Sequence, residues 1–135
     1  MVAALPKYGL GPYGEVRMKA AGAIPIGSMV VLGTDGCVVA IDDGTGIFGI
    51  ALTAAAADGD FFTCATQGVF TLDLASGFDP DIGDRVFVAT STTVDVGDAG
   101  DYSVGTVVGK TDPASGTTAE VLIHCREAHD SWVYA

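Results

Sequence analysis

Gly105-Thr106-Val107-Val108-Gly109-Lys110-Thr111 is the stretch of this 135-residue chain that comes nearest to a catalytic or binding motif. A phosphate-binding loop needs four residues between its first glycine and the Gly-Lys pair, so that successive backbone N–H groups wrap the phosphates. Only three stand here, and Asp112-Pro113 follows where a helix should open, which argues against nucleotide binding. Carboxylates cluster at Asp42-Asp43-Gly44, Asp79-Pro80-Asp81 and Asp98-Ala99-Gly100-Asp101. None has the alternating ligands and distant Glu of a calcium loop, and Asp beside Gly is also what tight turns use. They read as solvated turns. His124 and Cys125 are sequence neighbours on an apolar stretch, so on a strand they face opposite sides and cannot share a proton. Cys37, Cys64 and Cys125 are an odd number, widely spaced and without a C-x-x-C, and read as small, reduced, buried side chains rather than a disulfide framework or zinc site. Glutamate occurs only at Glu15, Glu120 and Glu127, and neither G-x-S-x-G nor H-E-x-x-H is present. No catalytic residue, cofactor site or metal ligand is assigned, and the chain reads as a non-enzyme.

Charge narrows the partners. The formal net charge is −11, from 17 acidic and 6 basic residues. Through Lys19 there are three bases (Lys7, Arg17, Lys19) and one acid (Glu15), a net +2; the remaining residues therefore carry −13. A phosphate backbone rewards clustered Lys and Arg, so direct nucleic-acid binding is not expected. No apolar run reaches the 18 residues that a spanning helix needs, and the opening MVAALPKYGLGPYG lacks the layout of a signal peptide. Membrane partners are not expected, and synthesis in a reducing cytoplasm is.

The elements that must position any interaction are strands. Apolar residues make up 49% and charged residues 17%, and Val, Thr, Gly and Asp displace the long helix formers. Candidate strands lie at 29–32, 37–41, 47–53, 61–66, 68–74, 85–89, 92–96, 102–108 and 119–125, separated by turn residues at the short intervals of a barrel or sandwich. Only 52–58, with its alanine run, could hold a helical turn, and it is too short to be stable alone, so the plain reading is a flexible loop.

The chain also repeats itself. Ile26-Gly27-Ser28-Met29-Val30 aligns with Ile82-Gly83-Asp84-Arg85-Val86, and at the same offset of 56 Gly49 falls on Gly105. The fold expected is all-β: a small barrel or sandwich of two similar β units with an extended N-terminal arm. Residues 1–23 form the arm, 24–125 a single β domain with pseudo-repeats at about 24–74 and 80–125, and 126–135 a C-terminal tail. Pro6, Gly9, Gly11, Pro12 and Gly14 keep the arm out of a helix. Both ends carry side chains suited to contacts: Lys7, Tyr8, Tyr13, Arg17 and Lys19 in the arm, and Trp132 and Tyr134 in the tail.

In one order the chain presents Ile24-x-x-Gly27-x-x-Val30, Gly68-Val69-Phe70, Ile82-Gly83-Asp84-x-Val86-x-Val88, Val104-Gly105 and a closing apolar strand. That series resembles the small capsid decoration proteins of tailed bacteriophages, the cement proteins bound outside the head shell, over about residues 24–123. The resemblance implies a compact β-barrel-like subunit, a homotrimer, whose partner is the major capsid protein at the outer surface of the virion. Such a subunit is made in the host cytoplasm, adds to the expanded shell and stabilises it. The seven end residues named above are then the candidates for capsid or subunit interfaces. A virion-associated β module binding host-surface carbohydrate is the alternative; one tryptophan and 8% aromatic residues speak against the aromatic-lined groove it needs.

Overall fold

Alternation of Val, Ile and Thr with glycine-containing turns gives ten strands in the computed structural model, which describes residues 13–41, 46–98, 100–110 and 117–123. The first five are β1 (Glu15–Lys19), β2 (Met29–Leu32), β3 (Cys37–Val39), β4 (Gly49–Ala51) and β5 (Phe61–Ala65). They form one sheet in the order β1-β5-β4-β2-β3. The second five are β6 (Val69–Leu74), β7 (Arg85–Val88), β8 (Thr93–Asp95), β9 (Gly105–Gly109) and β10 (Thr118–Ile123). They close a barrel in the order β10-β6-β8-β7-β9. The fold is all-β, with no helix among the described residues.

The two units are built alike. Strands β2, β3 and β4 begin at Met29, Cys37 and Gly49, and β7, β8 and β9 begin at Arg85, Thr93 and Gly105, each 56 residues later. Hydrogen bonds recur at the same offset. Gly27 N donates to Ala51 O and Gly83 N to Val107 O, both at 2.8 Å; Phe48 N donates to Val30 O and Val104 N to Val86 O, again at 2.8 Å. Each unit opens with one turn, closed by Ser28 N to Pro25 O in the first and Asp84 N to Asp81 O in the second. The third residue of that turn must take a positive φ, and it is glycine both times: Gly27 at 84° and Gly83 at 98°. Closure is where the units differ. Strand β6 runs parallel to β8 with Asp73↔Thr93 and Leu74↔Val94 in register, whereas the outer strands of the first sheet meet only at the parallel bridge Ala20↔Cys37. A bulge between Glu120 and Val121, where β10 meets β9, adds the local twist that helps bend the second sheet shut.

Two apolar clusters fill the interior. Leu72, Val86, Val88, Val94, Val104, Val107, Ala119, Val121 and Ile123 pack with Met29, Ala40, Ile47 and Ile50. Ala20, Ile24, Val30, Cys37, Ala51, Ala55, Phe62 and Cys64 form the other. Met29 and Val30 are neighbours on β2, and Ile50 and Ala51 on β4, so period-2 alternation sends one of each pair into each cluster. Those two strands are the wall common to both cores. Each fully buried valine contributes about 1.5–3 kcal/mol of transfer free energy. Cys37 and Cys64 are buried; Cys125 lies outside the described residues.

Residues 15–19, assigned to the extended arm, are strand β1, paired with β5 from Glu15↔Ala65 to Lys19↔Phe61. Val16 and Met18 alternate with charged residues, giving the segment one apolar face, and Met18 packs against the second cluster. Residues 52–58 form no helical turn: Ala55 N donates to Ile24 O and Ile24 N to Ala55 O, both at 2.9 Å. That antiparallel bridge buries Ile24 and fixes the segment against the first sheet.

Candidate interaction surfaces

Alternation along β1 and β5 sorts their side chains between core and solvent. Phe62 and Cys64 are buried, whereas Arg17, Lys19 and Phe61 are exposed on the outer face. Register sets Arg17 opposite Thr63 and Lys19 opposite Phe61. The Arg17 guanidinium carbon stands 4.5 Å from the centroid of the Phe61 ring, and that ring remains 54% exposed. An exposed cation–π contact of this kind is worth about 0.5–1 kcal/mol. The result is a small basic and aromatic patch on a rigid strand. Its cations are Arg17 and Lys19, both singled out from the sequence; Phe61 was not. The signal for Phe61 was available, because two adjacent aromatics on one strand, Phe61-Phe62, must point to opposite faces.

Tyr13 stands at the other end of β1. Six residues at about 3.3 Å each put it about 20 Å from Lys19 along the strand, so the structure does not bring the two together. The Tyr13 carbonyl accepts hydrogen bonds from Thr66 N at 2.9 Å and Gln67 N at 3.0 Å. Its half-exposed ring lies 5.8 Å from that of Phe70 and occupies the space a side chain at residue 68 would need. Gly68 O in turn accepts from Ile123 N at 3.1 Å. The chain therefore enters its first strand and leaves its last at one place, beside Gly68. Lys7, Tyr8, Trp132 and Tyr134 lie outside the described residues.

Groups that suggested chemistry are occupied by folding. The segment resembling a phosphate loop is β9, whose backbone is committed to ladders with β7 and β10. Lys110 follows it and bonds Asp79 through Nζ at 3.0 Å. Carboxylates cap turns: Asp84 Oδ2 accepts from Asp81 N, Asp101 Oδ2 from Asp98 N, and Asp60 Oδ2 from Ala56 N and Ala57 N. Among the described residues no three His, Cys, Asp or Glu side chains converge, and no helix is long and apolar enough to cross a membrane. Asp42, Asp43, His124 and His129 lie outside the described residues. What this geometry offers is surface, in the form of exposed strands and turns on a closely paired scaffold.

Comparison with protein families gives a match to phage cement protein across residues 11–123. The chain belongs to that family. Comparison with curated proteins and with solved structures gave no match. The matched span runs from the residues just ahead of β1 to the end of β10, so the family assignment covers both β units. It carries a structural, capsid-associated role in the virion.

On this cement protein the repeat also displays itself at the surface. Ile26 and Ile82, 56 residues apart, are each 67% exposed at the second position of the two matching turns. On the outer face of the barrel Val69 and Leu122 stand opposite one another across β6 and β10, both half-exposed.

Proposed function

We propose that this cement protein docks on the outer surface of the phage head, contacts the major capsid protein, and stabilises the shell. The patch on β1 and β5 supports this reading most directly. In a chain whose remainder carries −13, Arg17 and Lys19 of β1, both exposed, stand beside the exposed Phe61 of the paired strand β5. Lys7, Tyr8 and Tyr13 extend that contact along the N-terminal end, and Trp132 and Tyr134 serve a capsid or subunit interface on the assembled particle. Subunits act as homotrimers over junctions between capsid proteins, after synthesis in the host cytoplasm.

Stabilisation follows from linkage. A subunit that binds the assembled lattice and not its dissociated parts shifts the equilibrium toward the lattice by mass action. Contacts repeated by linked subunits add through avidity, so each one can be weak. Binding of purified protein to expanded, undecorated heads tests this. The expected result is saturation at a fixed number of copies per head and a raised temperature of head disruption. The double variant Arg17→Ala/Lys19→Ala should need a higher concentration to reach the same occupancy. Undecorated heads that neither take up the protein nor gain thermal resistance would overturn the reading.

A further inference from the structure

The two matching turns present the same isoleucine to solvent in different electrical surroundings. Ile26 and Ile82 are each 67% exposed at the second position of their turns. Such a turn needs glycine third, as at Gly27 and Gly83, and makes no demand for a bulky apolar side chain before it. Around Ile26 the chain is uncharged: residues 20–34 and 50–57 contain no Asp, Glu, Lys or Arg. Their counterparts 56 positions on, 76–90 and 106–113, contain Asp79, Asp81, Asp84, Arg85, Lys110 and Asp112. The uncharged segments also lie together. Ile24 bridges Ala55, both buried, and Gly27 N donates to Ala51 O at 2.8 Å, which leaves Ala23, Pro25, Ala54 and Ala56 exposed beside Ile26.

We propose that the subunit meets the shell through its first unit, with Ile26 buried against the major capsid protein, and that the turn at Ile82 stays in solvent. This rests on the docking reading above and extends its contact surface. Continuity joins the two parts. Residues 20–27 run on from β1 and residues 51–60 lead into β5, and Ala20 N donates to Asp60 O at 2.8 Å where the parts meet. Ala20, Ile24, Ala55 and Phe62 enter one cluster. The residues alternating with them, from Arg17 and Lys19 to Ala23 and Pro25, therefore face outward along one ribbon. Asp58 and Asp60 stand between the parts, and Asp60 turns its carboxylate back to cap Ala56 N and Ala57 N. Desolvation decides between the two turns. A carboxylate loses far more on leaving water than an apolar side chain gains, unless a partner is waiting for it. Ile82 cannot be covered without Asp81 beside it, whereas no charged residue adjoins Ile26.

Uptake of the purified protein by expanded, undecorated heads, measured at several ionic strengths, tests this, and the repeat supplies its own control. Ile26→Ser should weaken binding on the order of tenfold, by the same factor at every ionic strength, because salt does not screen an apolar contact. Ile82→Ser, the same change at the same exposure, should leave binding as it was. Ala54→Asp, on the neighbouring segment, should weaken it too. That variant carries the test should Ile26→Ser lose the circular dichroism of the folded protein. Uptake of the unaltered protein with equal binding by the Ile26→Ser and Ile82→Ser variants would overturn the proposal, as would a loss confined to Ile82→Ser. If Ile26→Ser changed the mass of the free protein in solution and left head binding alone, the surface would lie between copies and the proposal would fall. Unaltered protein that heads do not take up at all would overturn the docking reading, and this proposal with it.

Discussion

At Gly105 one methyl group decides whether two strands can meet. A Cβ there would collide with the carbonyl oxygen of Leu122 and stand 2.7 Å from Val121 Cγ1. Gly49, its counterpart 56 residues earlier, has the same problem with Ala65 O and Cys64 Sγ. Backbone cannot step aside inside a paired sheet, so Gly105→Ala and Gly49→Ala are each expected to destabilise by about 1–3 kcal/mol. Chemical denaturation measures this, with Gly22→Ala as the comparison. Nothing lies within 4 Å of a Cβ at Gly22, and that change should be neutral or slightly stabilising. Equal midpoints for all three would show that the strands can separate to admit a methyl group. The two crowded glycines were legible in the sequence as a matched pair inside strands. Their reason was not, since the oxygens they avoid belong to segments 16 and 17 residues away. Phe61 shows the same limit: alternation predicts an exposed ring, but only the register between β1 and β5 puts Arg17 beside it.

At the scale of elements, the repeat was legible because both copies keep glycine at the turn and at the crowded strand. Local chemistry dictates those positions, and they survive as a pattern at fixed spacing. Strand β1 was hidden for the opposite reason. Its five residues hold three charges, it follows a Pro- and Gly-rich segment, and its apolar residues Val16 and Met18 gain meaning only from β5, more than 40 positions on. The local signal is only two alternating apolar residues, too short to be told from an arm without the partner strand. The difference has a consequence for truncation. Removing residues 1–12 leaves every described strand intact, whereas removing 1–19 strips β1 from β5 and uncovers the side of the second cluster that Met18 covers. The shorter truncation should therefore melt within a few degrees of the full chain by circular dichroism. The longer one should melt markedly lower or fail to fold. Indistinguishable melting of the two would mean that β1 contributes nothing to the sheet.

For the whole molecule, the same charge distribution both draws a subunit to the shell and drives neighbouring subunits apart. Arg17 and Lys19 stand exposed on β1, while the rest of the chain repels other copies through its −13. Salt weakens both effects, because the screening length falls from about 10 Å at 0.1 M to about 3 Å at 1 M. Occupancy separates them. At low occupancy copies are far apart and attraction through Arg17 and Lys19 is the term that salt removes, so affinity for heads should fall as salt rises. Near saturation, repulsion between neighbours is screened as well, and the salt dependence should flatten or reverse. The Arg17→Ala/Lys19→Ala variant should lose most of the low-occupancy dependence and keep the behaviour near saturation. Titration of undecorated heads at several ionic strengths, read at both limits, measures this. Affinity that rises with salt from the first copies bound would assign the electrostatics to the acidic body alone and remove the basic patch from the docking surface.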